Sequence, residues 1–242
     1  MKVQVIGNNG SFLKDVCQAL LKEQLQVTQT NSADFNDVED VEFVIFVGGE
    51  TRNESAMNEN NVVLPLRILN QCKSKNIYYL YLSSLSVFGW CLDDVVTTNS
   101  KRSPIDIYGI TKLKMDQLAF ASEYRNYCAV LPASINAGRG RSSVEKIEYY
   151  FTKLPFLKLF SFPGSLSYID RDELISIIIS CLLEKREGLI IASKKYTLSQ
   201  LSFKYSVPFP RLPLFFFKPL SKIIGKKKAL LIKMVFRGIE YS

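Results

Sequence analysis

Tyr108 and Lys112 stand four residues apart in Tyr108-Gly-Ile-Thr-Lys112, a spacing that puts both on one helical face. A phenol beside a fixed ammonium makes a proton donor and acceptor for use near neutral pH, because a nearby positive charge favours the phenolate. Ser103 at a cap, Pro104 at the first helical position and Asp106 completing a Ser-x-x-Asp box predict that the helix opens at Ser103. The same spacing also suits a solvated Tyr and Lys on a surface helix, so the surrounding elements must decide. Histidine is absent, which removes the Ser/His/Asp and Cys/His hydrolase schemes and the common zinc sites together; no metal site is expected. An enzyme built from this chain must draw its acid and base from Tyr, Lys, Asp, Glu or Cys.

The elements that would position such a pair alternate. Residues 2–6 lead into Ile6-Gly7-Asn-Asn-Gly10, and Phe12, Val16, Ala19 and Leu20 then recur at helical spacing. Strand, glycine turn and helix in that order suit a phosphate held at a helix N-terminus; Asn9-Gly10 is equally the signature of a hairpin turn, against which the helical period argues. A short strand is expected at Leu25–Thr28, and the acidic run Asp34, Asp37, Glu39, Asp40 reads as a solvated loop. Phe43–Val47 is a continuous apolar run ending in Gly48-Gly49, as in a strand buried on both faces. A helical pattern follows through Val62, Val63, Leu66 and Leu69, then Ile77–Leu82, strongly β-prone and stopping at Ser83-Ser84, and later Tyr127–Leu131 before Pro132. Alternating strands and helices call for an α/β fold with a parallel sheet whose ligands sit at the carboxyl ends of the strands. Gly7–Gly10, Gly48-Gly49, Ser83-Ser84 and the loop before Tyr108 all fall at such ends.

Composition bounds the class. The chain has 242 residues, 47% of them apolar, enough for one large domain or a domain with a small annex. Met1-Lys2 runs straight into a short strand, so no secretory signal is read there, and no apolar stretch approaches the ~20 residues of a spanning helix. A cytoplasmic protein is expected. Five scattered cysteines read as reduced core thiols. The net charge of +8 sits at the C-terminal end: residues 204–242 hold nine basic residues and one acid, whereas residues 1–203 hold 22 of each sign. A nucleic-acid-binding role for the whole protein loses its support accordingly.

Taken together, these segments resemble the extended short-chain dehydrogenase/reductases, the NAD-dependent epimerase/dehydratase family. MKVQVIGNNGSFL is similar to its glycine-rich cofactor loop, VIFVGG to the strand ending beside the cofactor, and NIYYLYLSSLSVFG to the strand bearing Ser-Ser and then Val-Tyr-Gly. SPIDIYGITK matches the Tyr-x-x-x-Lys helix, LPASINAG resembles the nicotinamide-side segment, and SYIDRDEL the motif opening a later helix; the likeness runs from Met1 to about Leu183. The resemblance implies a Rossmann-type doubly wound parallel sheet over residues 1–165, interleaved with a reduced substrate lobe and basic tail over 166–242. It implies Tyr108 as acid/base, Lys112 as the group lowering its pKa and holding the cofactor ribose, and Ser84 as the hydroxyl orienting the substrate oxygen. NAD or NADP would lie against Gly7, Asn9, Gly10, Ser11, Phe12, Asp34, Phe35, Val47, Gly48, Gly49, Leu82, Ser83, Tyr108, Lys112, Pro132 and Ala133. The third family glycine falls at Leu13, and Thr28, Thr30 and Asn31 supply neither an acid nor an arginine to choose between NAD and NADP.

Dehydratases of the family resemble Thr-Asp-Glu where this chain has Ser84-Leu85-Ser86. Without those carboxyl groups a 4,6-dehydratase is not expected. The resemblance therefore implies an epimerase or ketoreductase acting on a nucleotide-linked sugar, in surface polysaccharide biosynthesis, as a homodimer packed through helices of the first half. The competing reading is a non-catalytic relative that holds a dinucleotide as sensor or scaffold. The tail reads either as a surface lying on an anionic membrane, peripheral at the inner face, with Phe215–Phe217 and Ile223-Ile224 inserted and Lys226–Lys228 at the headgroups, or as a lobe helix whose lysines reach past packed phenylalanines.

Overall fold

The computed structural model describes residues 1–8, 10–136 and 143–242. By internal contacts the chain divides into two compact units, residues 1–87 with 106–131 and 172–190, and residues 88–105 with 132–171 and 191–242. The division expected at residue 165 falls elsewhere because the chain leaves the sheet unit after Val87 and returns to it twice.

The first unit is a six-stranded sheet. Its strands are β1 (Lys2–Gly7), β2 (Gln26–Asn31), β3 (Phe43–Phe46), β4 (Tyr78–Leu82), β5 (Tyr127–Pro132) and β6 (Gly188–Ala192), in the spatial order β6-β5-β4-β3-β1-β2. The pairs β1/β2, β1/β3, β3/β4 and β4/β5 are parallel, with Gly7 opposite Asn31 and Ile6 opposite Phe46. This is the doubly wound α/β sheet expected, with helices α1 (Ser11–Lys22), α2 (Glu54–Asn58), α3 (Leu64–Lys75), α4 (Ile107–Ala121) and α5 (Arg171–Leu183) between strands. Strands β3, β4 and β5 are buried at every residue, which is why they read as unbroken apolar runs rather than alternating ones. Three buried tyrosines of β4 are tolerated because each hydroxyl finds an acceptor: Tyr78 donates to Cys181 O at 3.0 Å, Tyr79 to Pro65 O at 3.3 Å and Tyr81 to Asp116 Oδ1 at 2.9 Å.

Between β2 and β3 the segment forms only a 3₁₀ turn, Ser32–Asp34, and a loop anchored by buried Phe35 and Val38. The sheet order therefore reverses at β1, whose carboxyl end and that of β3 flank the crevice where open α/β sheets take ligands. A π-helical turn, Glu59–Val63, separates α2 from α3. All five cysteines are free and buried, as expected of core thiols.

The second unit is built on a three-stranded sheet, Lys194–Thr197, Ser165–Asp170 and Ser134–Asn136. An aromatic core of Phe151, Phe162, Phe209 and Phe236 holds it, with Phe162 and Phe209 stacked at 5.1 Å. Phe209 reaches that core from a stretch punctuated by Pro208, Pro210 and Pro213. Leu198–Leu201 forms a 3₁₀ turn. Two helices follow, Leu214–Ile224 and Lys226–Phe236, joined at Gly225 (φ 85°). Short strands Val95–Val96 and Glu240–Tyr241 pair in parallel. Beside them Arg237 grips Asp94 through Nε and Nη2, both at 2.6 Å, holding the Asp94 carboxyl below its usual range.

Candidate active site

Helix α4 begins at Ile107, not at Ser103. Asp106 is its cap, accepting the Gly109 N–H at 2.9 Å through Oδ1. Ser103 is instead part of the 88–105 segment, where its carbonyl oxygen accepts from Trp90 N at 2.8 Å. A Cβ on Gly89 (φ +44°) would lie 2.2 Å from that oxygen and 2.6 Å from Pro104 Cα, so glycine at this position is a requirement of close backbone approach.

With the helix started at Ile107, Tyr108 lies in its first turn and Lys112 one turn later. Tyr108 is half-buried, and the Ser84 hydroxyl is near enough to favour its phenolate. Ser84, buried after the end of β4, accepts from the Ser86 N–H at 3.2 Å and the Ser86 hydroxyl at 2.9 Å. Lys112 is only 4% exposed; its Nζ donates to Leu82 O at 2.8 Å and lies 5.9 Å from the centroid of the Tyr108 ring. Ser84, Tyr108 and Lys112 are therefore gathered at the carboxyl end of one buried strand.

The electrostatics differ from the simple expectation. Burial pushes the Tyr108 phenol upward, the nearby Ser84 hydroxyl opposes this, and the Asp106 carboxylate adds to the rise. The net direction is opposite to the lowering expected from a neighbouring ammonium. Lys112 carries the larger consequence: desolvation brings it down to about 8, with Asp116 opposing. Asp116 is itself buried and takes Tyr81 on Oδ1 and Ser83 on Oδ2, both at 2.9 Å.

A glycine-lined cradle adjoins this group. A Cβ on Gly7 would lie 2.8 Å from Val47 Cγ2, and one on Gly48 2.7 Å from the Phe46 ring. Gly49 (φ +154°) leaves room where a Cβ would stand 3.1 Å from Lys112 Nζ and 3.2 Å from Asn61 Oδ1. Asn8 ties the strand ends together, donating to Gly49 O at 3.3 Å and accepting from the Ser32 hydroxyl at 2.5 Å. Gly10 caps α1 with no side-chain hydrogen bond, the arrangement in which a helix N-terminus suits a phosphate. The cradle and the buried ammonium fit a dinucleotide.

The remaining expected residues are placed less uniformly. Ser11 is exposed, Phe12 and Val47 are half-buried, and Asp34 is exposed on its 3₁₀ turn. Phe35 faces inward, 3% exposed, with the Arg67 guanidinium 5.1 Å from its ring centroid. Leu13, where a third glycine was looked for, is buried in the face of α1. Pro132 and Ala133 are buried in the second unit, Ala133 donating to Ala192 O at 2.9 Å. Asn9 and the end of the LPASINAG segment lie outside the described residues. Among the described residues no His, Cys, Asp and Glu cluster could hold a metal.

Two residues escaped the sequence reading. Asn61, 1% exposed in the π-helical turn, accepts from Glu50 N at 2.8 Å and donates to Glu50 O at 2.9 Å and to Thr111 Oγ1 at 3.1 Å. It fixes the loop after Gly49 against α4. Asp116 extends the series Tyr108, Lys112, Asp116, each four residues from the last, and that spacing was the available signal.

Comparison with known proteins bears on this geometry. Residues 40–150 match the NAD dependent epimerase/dehydratase family. That match spans β3, β4, α4 and β5, the segment holding Ser84, Tyr108 and Lys112. Solved structures of similar fold include a dTDP-4-dehydrorhamnose reductase from Clostridium acetobutylicum, 17% identical, with a TM-score of 0.66 and coverage of 97% of this chain and 98% of that one. A UDP-glucuronic acid 4-epimerase from Bacillus cereus, in complex with NAD, is 16% identical with a TM-score of 0.63, covering 100% of this chain and 88% of that one. A dTDP-4-dehydrorhamnose reductase from Bacillus anthracis, in complex with NADP, is 14% identical with a TM-score of 0.65 and coverage of 86% and 84%. All share the Rossmann-type fold.

Proposed function

We propose that the protein is an NAD- or NADP-dependent epimerase or ketoreductase of nucleotide-linked sugars. The observation that carries this reading is the gathering of Ser84, Tyr108 and a buried Lys112 at the carboxyl end of β4, set next to a glycine cradle. The names of the epimerase and reductases of similar fold support the substrate class.

The cofactor would lie along Gly7, Gly10, Gly48 and Gly49, with Lys112 on its ribose, and when bound it supplies hydride acceptance or donation. The chain's own residues handle the proton and the geometry. Tyr108 Oη takes the proton of the substrate hydroxyl, or returns it. Ser84 Oγ, whose lone pairs are engaged by Ser86, directs its own proton toward the substrate oxygen and fixes it beside Tyr108. Lys112 presents a buried positive charge that favours the anionic form of Tyr108 once both face a common ligand. Leu85 and Ser86 bring no carboxyl group to the site, so loss of water from the sugar is not part of the reading.

The raised Tyr108 favours a second reading, a dinucleotide-binding relative without turnover. Fluorescence titration with NADH and NADPH, followed by incubation with a panel of UDP- and dTDP-linked hydroxy and keto sugars, separates the two. The enzyme reading expects binding, turnover of at least one sugar, and loss of turnover in Tyr108→Phe. Binding with no turnover across the panel selects the second reading; turnover surviving in Tyr108→Phe removes Tyr108 from the chemistry.

A further inference from the structure

The second unit carries a surface that the proposed chemistry does not use. Between Glu187 and Glu240 the chain has no acidic residue, and this stretch ends in the paired helices Leu214–Ile224 and Lys226–Phe236. The first of them is divided. Phe217 is fully buried, whereas Phe215, Phe216 and Ile223 are 77%, 44% and 80% exposed. Phe215, Pro219 and Ile223 follow one another at intervals of four and so share an outward face. Lys218 and Lys222 border that face, Lys226, Lys227 and Lys228 follow directly after Gly225, and all five are exposed. The second helix also carries an exposed apolar side chain, Leu231, at 55%. Lys233, by contrast, turns inward, its Nζ donating to Asp93 O at 2.6 Å.

Side chains exposed to this degree stand out as a ridge and do not line a groove. A protein partner would need a matching pocket with an acidic rim. A bilayer needs neither, because acyl chains deform around protruding rings and anionic headgroups accept lysines at any spacing. We propose that this ridge docks the protein on an anionic lipid surface, with Phe215, Phe216 and Ile223 entering the boundary between headgroups and acyl chains and the five lysines at the phosphates. The sequence expectation that Phe217 inserts is corrected by its burial. No helix of the described residues is long and apolar enough to cross a membrane, and the attachment proposed is peripheral.

Co-sedimentation of the full chain with vesicles tests the proposal, using phosphatidylcholine alone and phosphatidylcholine mixed with phosphatidylglycerol. The protein is expected to pellet with the mixed vesicles at low salt and to be released at high salt. Replacing Lys226, Lys227 and Lys228 with Gln should weaken partitioning on the order of a hundredfold. Phe215→Ser with Ile223→Ser should abolish it with the charge unchanged, and both variants should retain the parent melting temperature. The proposal fails if the protein stays in the supernatant with anionic vesicles, or if the serine variant binds as well as the parent. It also fails if the ridge instead drives concentration-dependent self-association in the absence of lipid, lost in the same serine variant.

Discussion

Lys112 Nζ donates to the carbonyl oxygen of Leu82 at 2.8 Å, so a buried ammonium closes the carboxyl end of a central strand. That bond, with Asp116 nearby, is what keeps a charge in a place where burial brings its pKa down to about 8 from 10.5. Between those two pH values the unfolded chain holds the proton and the native one does not, so stability rises with pH across that window. Below it both states are protonated and the burial penalty is carried in full. Measured against Lys112→Met by guanidinium unfolding, the parent should gain about 3 kcal/mol between the two values. A difference independent of pH would show that Lys112 is hydrated in the native state.

The Ser86 hydroxyl donates to Ser84 Oγ at 2.9 Å, and the Ser84 hydroxyl in turn favours the phenolate of Tyr108. Tyr108→Phe should lower kcat by a factor of about 10²–10⁴ while NADH binding persists. Ser86→Ala frees a lone pair on Ser84 Oγ and weakens its support of the phenolate. The expected result is a modest loss in kcat, less than about tenfold, and an upward shift of the pH–rate limb belonging to Tyr108. An unmoved limb would detach Ser86 from the proton path.

Asn61→Ala strips both backbone groups of Glu50 of their partners and leaves Thr111 without its donor. A loss of about 2–4 kcal/mol is expected by chemical denaturation. The NADH dissociation constant should rise as the loop after Gly49 loosens. Unchanged affinity in a destabilised variant would restrict Asn61 to holding the fold.

At Gly89 an added methyl group meets backbone on both sides, at Ser103 O and Pro104 Cα, in a left-handed conformation. Gly89→Ala should cost more than about 3 kcal/mol, seen as a large fall in melting temperature. Retention of the parent value would mean that the 103–104 segment yields without cost.

Much of the sheet was legible because β3, β4 and β5 are buried on both faces and so leave unbroken apolar runs. The strand ends then located Gly48, Ser84 and the loop before Tyr108 without further information. The start of α4 was misread because Ser103-Pro104 has the local chemistry of a cap; what decides it is Gly89, whose closeness to Ser103 and Pro104 is a long-range fact. Asn61 and Asp116 were missed since a polar residue in an apolar helical stripe looks like surface, and only the partners Glu50, Tyr81 and Ser83 show otherwise. In the run Phe215–Phe217 composition could not say which ring faces inward; helix phase alone put Phe217 in the interior and left its neighbours outside.

The pairing of Val95–Val96 with Glu240–Tyr241 joins segments about 145 residues apart. Lys233 on Asp93 and Arg237 on Asp94 span nearly the same distance. During synthesis, residues 91–96 must therefore wait, their partners unmade, until residues 233–241 have emerged. A translational pause or a nick in the intervening stretch would leave that segment with its backbone and charged partners unmade.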